Sequence, residues 1–400
     1  MTSRWPAELL DAARKKGDPV ADAVVDQIEA DHGTALVGEM LSKLWRNNAI
    51  PDFTGSPLAP VIDKYLDDTQ ALPPWADQHK IRIAEQLFFD HGIMTVLALF
   101  CGSLPESYSI GSEAVVMQRS GQLIEHTEHR IRATAAMIFP VMDSGGLGPN
   151  GTGVRQIQKV RLIHATIRHL ILRGDPKHAL GGYAKHMSGM QWDAANGVPI
   201  NQENLSFTLL TFSYVFLECW RKLGIALDAT QRDAFVHCWN VAAHILGVER
   251  EVMADSFDEA GDLFGILRAR GLAETHDGRE LAKALMAVQE RHVPIAPLKP
   301  VGPLLMRRLI SADTANVLGV ERHASVLSRA LFAVVFALLR AGEWLARLLG
   351  SERSPVTYVF EKLARVWLRA LLLDQTRPLK LPDRLLDGWR LRHDARTAPA

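Results

Sequence analysis

The stretch RQIQKVRLIHATIRHLILR, Arg155–Arg173, decides the fold, because its pattern is that of a helix entering a protein core. On a helix of about 3.6 residues per turn, four of its β-branched side chains fall on one stripe: Ile157, Val160, Ile167 and Ile171. His164 lies in the middle of this stripe, so the segment places an imidazole among apolar neighbours. A single histidine on an apolar face is more often a core residue than a ligand, and only the rest of the chain can decide between the two.

Charged side chains flank this histidine on both faces of the helix. Arg161 and Arg168 lie along an edge of the apolar face, three residues before and four residues after His164. The opposite face, where we expect solvent, carries Arg155, Gln158, Lys159, His169 and Arg173. The two arginines have two interpretations: they bind the negative groups of a ligand beside His164, or they form structural ion pairs.

The composition describes an ordinary globular protein without net charge. Of the 400 residues, 48% are apolar and 22% are charged, and 45 basic residues balance 45 acidic ones. This balance gives no general attraction to nucleic acid. The three cysteines are widely spaced and form neither a disulfide framework nor a zinc-binding pair. The sequence opens without a signal-peptide pattern, so we expect a cytoplasmic protein.

Helical patterns recur along the chain, whereas strand patterns are scarce. The best strand candidate is the short run Ala114–Met117. The fold class is therefore mainly α. Prolines cluster in PIAPLKPVGP, Pro294–Pro303, and we place a Pro-rich connector over 294–303. It separates an all-α domain, 1–293, from a C-terminal helical extension, 304–400, which ends in a basic tail.

Within that extension, SVLSRALFAVVFALLRAGEWLARLLG, Ser325–Gly350, predicts an amphipathic helix. Arginines and a glutamate interrupt the apolar residues, so an uncharged bilayer span of about 20 residues is not available. On a helical wheel the charged residues share one narrow face. This pattern favours docking on the protein body or on a partner such as a second copy, and the alternative is a peripheral contact with a membrane surface.

Several motifs that suggest other activities lack the context those activities need. The loop before the opening stretch has the spacing G-x-G-x-x-G, at Gly146, Gly148 and Gly151, but a helical pattern precedes it where a dinucleotide site needs a strand. We interpret it as a helix–helix connection. The run EHTEH, Glu125–His129, has no HExxH pattern. Neither a GxSxG motif nor a P-loop occurs, so most hydrolase and kinase functions lose support.

A second helical segment, Gly121–Met142, brings polar residues that suit the same interior as His164. Arg130 and Thr134 lie one turn apart on a face that they share with apolar residues, and the alternative is a face against solvent. A neutral imidazole, nearby guanidinium groups and apolar side chains together suit a b-type haem, with histidine on the iron and arginines on the propionates. No CxxCH motif for covalent attachment occurs, so such a haem is held non-covalently.

Three runs together resemble the latex-clearing type of rubber oxygenase and the broader family that includes the MpaB-type oxygenases. They are VRLIHATIRHLI (Val160–Ile171), the R-x-x-x-T of Arg130 and Thr134, and PINQENLSFTLLTFS (Pro199–Ser213). The likeness covers about residues 92–255. It implies a globin-like multi-helix core around a haem pocket, extra N- and C-terminal helices, and a b-type haem bound through one histidine.

The resemblance also implies roles for individual residues. His164 would be the proximal iron ligand, with Arg130 and Thr134 near the haem and Glu113 as the acidic base near the substrate. In that setting Arg161 and Arg168 are the candidates for binding the haem propionates. Relatives carry a lysine directly before the threonine, able to reach the distal side of the iron. This chain has Ala133 there, which leaves the distal ligand open.

The expected function is therefore a cytoplasmic, haem b-dependent oxygenase that oxidises or cleaves an apolar, isoprenoid-type substrate with O2. Two alternatives stay open. The first is a haem-binding sensor or storage protein without turnover, an alternative that the loss of the lysine at Ala133 favours. The second is a haem-free helical scaffold that acts through Ser325–Gly350.

Overall fold

The structure is a computed structural model that describes residues 4–46, 49–119, 124–149, 151–179, 182–291 and 301–320, together with 330, 334, 337 and 341. Within these ranges the side chains at 46, 93, 119, 124–130 and 183 are not described. The helices are α1 Ala7–Arg14, α2 Pro19–His32, α3 Thr34–Arg46, α4 Ala59–Asp68, α5 Gln78–Ala98, α6 Leu104–Tyr108, α7 Gly111–Arg119, α8 Ile124–Met142, α9 Thr152–Arg173, α10 Gly182–Ser188, α11 Gln202–Phe212, α12 Tyr214–Lys222, α13 Ala229–Leu246, α14 Phe257–Gly271, α15 His276–Arg291, α16 Val301–Leu309 and α17 Ala312–Val317.

The mainly α prediction is confirmed. In the described part of the chain, β pairing is confined to one isolated bridge between Ile110 and Leu272. The strand candidate Ala114–Met117 was wrong, because these residues lie inside α7. Four β-branched and apolar residues are too few to distinguish a strand from a buried helical turn. The glutamate Glu113 in the first turn of α7 favours a helix N-terminus, where the backbone dipole attracts negative charge.

The glycine-rich loop joins α8 to α9 by a tight reversal, as the sequence predicts for a helix–helix connection. A Cβ atom at Gly146 would lie 1.9 Å from the carbonyl oxygen of Pro140, and one at Gly151 would lie 2.1 Å from that of Gly146. Only glycine fits such a close approach of backbone to backbone. The reversal packs α8 along α9, which brings the Thr134 helix against the His164 helix.

Helix α9 lies at the centre of the molecule and is covered on nearly all sides. Its apolar residues take part in two buried clusters, one shared with α5, α8, α11 and α13 and the other shared with the N-terminal helices α2 and α3. The expectation of a solvated opposite face was wrong for Gln158, Lys159 and His169, which are buried, whereas Arg173 is exposed. Helix α4 covers Gln158, and helix α2 covers His169.

The C-terminal helices α16 and α17 pack on the body of the protein. Val301–Pro303, the end of the expected connector, forms the first turn of α16. Thr314 of α17 donates a hydrogen bond to the buried Glu106, with 2.9 Å between Oγ1 and Oε2. The boundary near 294–303 stays a prediction. Residues 292–300 and, apart from four single positions, the amphipathic segment 325–350 lie outside the described residues.

Over the described ranges, no individual helix has both the length and the apolar character to cross a membrane. One strongly bent pair, Gln78–Gly92 with Met94–Tyr108, meets that test by length and composition when the two helices are taken together.

Candidate functional site

A cavity of about 280 Å³ lies beside α9. Helices α3, α6, α7, α8, α9, α11 and α13 supply its walls, and most of the lining is apolar. The polar or charged side chains that line it are Ser107, Ser112, Glu113, Thr134, Gln156, Lys159, His164, Asn204 and Thr208. A mostly apolar cavity with a few polar groups at fixed positions is typical of a small-molecule or cofactor site.

His164 reaches this cavity from the middle of α9. Its Nδ1 atom is buried and has no hydrogen-bond partner among the described residues. Burial, and to a smaller extent the positive charge of Arg168, lower the pKa of the imidazole to about 4. The ring is therefore neutral at physiological pH. A neutral imidazole in a cavity wall is the form of histidine that binds metal ions.

Glu113 lines the same cavity from the first turn of α7. Its side chain is buried, and desolvation raises the pKa of the carboxyl well above its usual range. Hydrogen bonds with Thr208 and Asn204 act in the opposite direction but more weakly. Its Oε1 atom has no hydrogen-bond partner in the described structure. A carboxyl in this state can hold a proton near neutral pH and exchange it with a bound molecule.

Helix α8 contributes Thr134 and Ala133 to the cavity wall. Ala133 is exposed, so a longer side chain at this position has room toward the cavity. Arg130 lies one turn earlier on the same helix, but its side chain falls outside those described, as does the whole EHTEH run. The structure thus brings Glu113, Thr134 and His164 together around one space and leaves Arg130 as a prediction.

Arg161 and Arg168 do not line the cavity. The guanidinium of Arg161 forms two hydrogen bonds with Asp18, Nε to Oδ2 at 2.5 Å and Nη2 to Oδ1 at 2.8 Å. Arg168 donates one hydrogen bond to Asp22, from Nη1 to Oδ1. Both carboxylates belong to the N-terminal side of the molecule, at the start of α2. The structure therefore favours the structural ion-pair interpretation of these arginines over propionate binding.

Arg168 also holds part of the cavity wall. It donates hydrogen bonds to the carbonyl oxygens of Pro199 and Ile200, at 2.9 and 2.8 Å. Ile200 lines the cavity and has a φ of +53°, which is strained for a β-branched residue. The two bonds fix this backbone turn directly before α11, which carries Asn204 and Thr208.

Helix α9 carries a third buried cation at a position where the sequence predicted solvent. Lys159, expected in solvent, is buried and lines the cavity, and burial lowers the pKa of its ammonium group to about 8. A usable signal existed in α2, where Asp18, Asp22 and Asp26 recur every four residues and so form a row of acids on one face. Such a row can engage the arginines of α9 and bring α2 onto a part of that helix that the sequence left to solvent.

Two further residues come from the N-terminal region. Leu44 and Trp45, at the end of α3, complete the cavity wall, and Leu44 is fully buried. Nothing in their local sequence pattern distinguishes them from ordinary core residues.

Among the described side chains, no group of three or more His, Cys, Asp and Glu residues is arranged to hold a metal ion.

Comparison with known proteins gives a consistent result. The family model for the catalytic domain of the ER-bound oxygenase mpaB/B' and rubber oxygenase matches residues 88–371. A rubber oxygenase from Streptomyces sp. (strain K30) is 24% identical over 331 residues, which are 82% of this chain and 75% of that protein. The solved structure of latex clearing protein in its closed state has the same fold, with a TM-score of 0.67 and 23% identity over 93% of this chain and 95% of that one. The matched range includes Glu113, Thr134 and His164, whereas Trp45 lies before it.

Proposed function

Since this chain belongs to the family of the mpaB/B' and rubber oxygenase catalytic domains, we propose that it is a haem-dependent oxygenase acting on an apolar substrate. The observation that carries this proposal is His164. Its neutral imidazole has a buried nitrogen with no partner among the described residues, and it lines a mostly apolar cavity.

The residues around the cavity fit a non-covalently bound b-type haem. A haem held without covalent attachment would need apolar side chains around it and a protein side chain to bind its iron. The cavity offers apolar side chains from several helices, including Val116 of α7 and Ile163 of α9. His164 supplies the imidazole, which is already in its metal-binding protonation state. A neutral imidazole carries a lone pair on one ring nitrogen. A bound metal ion would accept this lone pair and so would stabilise the imidazole in the apolar wall.

When bound, the haem supplies an iron at which O2 is activated. The residues of the chain bind the substrate, exclude water and exchange the proton. The apolar walls exclude water and bind the hydrocarbon part of the substrate. Glu113 serves as the acid–base group, since its raised pKa lets the carboxyl exchange a proton near neutral pH with a substrate within hydrogen-bond reach. Thr134 offers a hydroxyl in the cavity wall that would orient a bound group.

The proposed reaction is oxidation of an isoprenoid-type substrate with O2. The complete reaction would cleave a carbon–carbon double bond and give two carbonyl groups. The mostly apolar lining supports a hydrocarbon substrate, because polar substrates would lose hydrogen bonds to water without replacement. The name of the curated relative, rubber oxygenase, agrees with this substrate class.

An absorption spectrum tests the haem. Purified protein supplemented with haem should show a Soret band of a histidine-ligated haem, and His164→Ala should lose it or shift it. His169→Ala is the matched control, because this histidine is on the same helix but contacts Asp26 and Glu29 instead of the cavity. An unchanged band in His164→Ala, or no band in the wild type, would reject the proposal.

Oxygen consumption then separates an enzyme from a sensor or storage protein. The specific observation in favour of the sensor is Ala133, where relatives of the rubber oxygenase type carry lysine. We expect O2 uptake that depends on an added isoprenoid and falls strongly in Glu113→Gln. Haem binding without substrate-dependent uptake would favour the sensor.

A further inference from the structure

One part of the cavity wall is polar. Helix α6 packs against α7 and α11, and these three helices supply hydroxyl, amide and carboxyl side chains to the lining. We call this group the polar patch; its members are Ser107, Ser112, Glu113, Asn204 and Thr208. The patch makes up the larger part of the polar lining, so it is a place where a polar atom of a bound molecule finds partners.

Glu113 contributes an oxygen atom without a partner to this patch. Thr208 and Asn204 hydrogen-bond the carboxyl from α11. Its Oε1 atom is buried and has no hydrogen-bond partner in the part of the chain that the structure describes, and the whole residue is only 9% exposed. Buried polar atoms in native proteins are nearly always hydrogen-bonded, because an unpaired one is destabilising. The cavity is the space from which a partner can reach Oε1.

The adjacent residue, Ser112, contributes a hydrogen-bond donor. Its hydroxyl oxygen accepts a hydrogen bond from Nδ2 of Asn204, at 3.0 Å. A serine hydroxyl also has one hydrogen to donate, and no acceptor takes this hydrogen among the residues that the structure describes. Ser112 and Glu113 lie together in the first turn of α7 and both line the cavity. The patch therefore offers one acceptor and one donor side by side.

This pair of groups matches a hydroxyl. A hydroxyl donates its hydrogen to Oε1 of Glu113 and accepts a hydrogen from Ser112. It fits either protonation state of the carboxyl, because it can both donate and accept. An ether oxygen can only accept, and a hydrocarbon can do neither. A carboxylate on the ligand would repel the carboxyl of Glu113 whenever both groups are ionised.

We propose that the polar patch binds the hydroxyl group of an isoprenoid alcohol, whose chain lies against the apolar lining. Turnover of this alcohol rests on the proposed function, whereas its binding requires only the cavity. Two hydrogen bonds at one end fix the position of the chain in the cavity. The patch would thus determine which double bond of the substrate is oxidised.

Farnesol and farnesyl methyl ether test this role, because they share one chain and the ether cannot donate. Binding of each is measured by titration calorimetry on the purified protein. We expect the wild type to bind farnesol about tenfold more tightly than the ether. Glu113→Leu should bind the ether at least as tightly as farnesol, since the extra methyl group adds apolar surface and the acceptor is gone.

Ser112→Ala removes the donor that both compounds use, so it should weaken the binding of both by severalfold and keep their ratio. Ser103→Ala is the matched control. Ser103 is also a buried serine, but its hydroxyl donates to Oγ1 of Thr211 at 3.0 Å and does not line the cavity. This variant should keep both wild-type affinities. Thermal unfolding establishes that each variant is folded, and Glu113→Met replaces Glu113→Leu if the latter does not fold.

Three results would overturn the hydroxyl-binding role. Equal binding of the alcohol and the ether by the wild type would mean that a water molecule satisfies Oε1 instead. The wild-type ratio in Glu113→Leu would mean that the methyl group is excluded by its size. Unchanged affinities in Ser112→Ala would remove the donor from the site.

The titration needs no turnover, so it separates this role from the proposed function. A preference for the alcohol in a protein without a Soret band rejects the proposed function and keeps the role of the patch. A Soret band and isoprenoid-dependent O2 uptake, in a protein that binds the alcohol and the ether equally, reject the role of the patch alone.

Discussion

Arg161 and Asp18 form a buried, two-bond ion pair that joins the helix of His164 to the start of α2. The two residues are separated by 143 positions in sequence, and their side chains are only 9% and 4% exposed. Arg161 also donates a hydrogen bond to the carbonyl oxygen of Ile245 at the end of α13, at 3.1 Å. Three segments of the chain therefore meet at one guanidinium.

The first prediction concerns this pair. Asp18→Asn keeps an oxygen that can cap α2 but removes the negative charge, which leaves Arg161 as an uncompensated buried cation. Loss of one partner of a buried pair costs about 3–5 kcal/mol. We expect the free energy of unfolding, measured by urea denaturation, to fall by this amount.

Its control is the exposed pair of Lys64 and Asp68 on α4, whose side chains are 74% and 56% exposed. Asp68→Asn should cost less than about 1 kcal/mol, since solvent screens a surface pair. Equal losses in Asp18→Asn and Asp68→Asn would show that the buried pair has no special role in holding α2 on α9.

The second prediction concerns pH and Glu113. The pKa of this carboxyl is raised in the folded protein, so the folded state binds more protons than the unfolded state between the usual pKa and the raised one. The stability contributed by the protonated carboxyl is complete below about pH 4.5 and is lost as the pH rises through the folded-state pKa. Glu113→Gln, which cannot ionise, should not show this loss.

We therefore expect Glu113→Gln to gain stability relative to the wild type as the pH rises from 5 to 8, measured by urea unfolding at each pH. Glu8→Gln, on the exposed face of α1, should follow the wild type at every pH. A constant difference between Glu113→Gln and the wild type across this range would mean that the carboxyl is already ionised in the folded state.

The sequence was sufficient for the features that depend on local periodicity. The helical stripe of Arg155–Arg173 identified α9 and placed His164 inward. The spacing of the second helix left Thr134 on a face against either the interior or solvent, and this residue lines the cavity. The first result follows from about 3.6 residues per turn, which is a property of neighbouring residues only. The family resemblance added Glu113, which no periodic pattern indicates.

The features that depend on distant partners could not be predicted in this way. Whether a face of α9 meets solvent, a cavity or another helix depends on where α2 packs, and that contact joins residues more than 140 positions apart. The sequence therefore left two interpretations for Arg161 and placed Lys159 in solvent. The acids of α2 account for the first outcome, because they bind Arg161 and Arg168.

The third prediction concerns the N-terminal contribution to the cavity. Trp45 lines the cavity from α3, outside the range of the family match. Trp45→Ala should enlarge the space and shift binding toward longer isoprenoids by about threefold or more, since one extra buried methylene is worth roughly 1 kcal/mol. The ratio of dissociation constants for a short and a long isoprenoid measures this shift.

Trp192→Ala is the matched control for this variant. Trp192 is half-buried like Trp45, but it packs in the N-terminal apolar cluster and its Nε1 atom donates a hydrogen bond to the carbonyl oxygen of Gly197, at 2.7 Å. This variant should lower stability without changing the ratio. The same change of ratio in both variants would mean that Trp45 does not limit the size of the ligand.

The fourth prediction restores the lysine that relatives carry before the threonine. Ala133 is exposed and lines the cavity, so a lysine there has room to extend into it. An amine ligates a metal ion only after it loses its proton, so the effect must grow with pH. We expect the absorption spectrum of haem-loaded Ala133→Lys to shift at high pH, whereas Ala133→Met, of similar length but without a donor nitrogen, keeps the wild-type spectrum. If the two variants share one spectrum from pH 6 to 10, position 133 does not reach the distal side, and the difference from the relatives lies in the path of α8 rather than in a missing ligand.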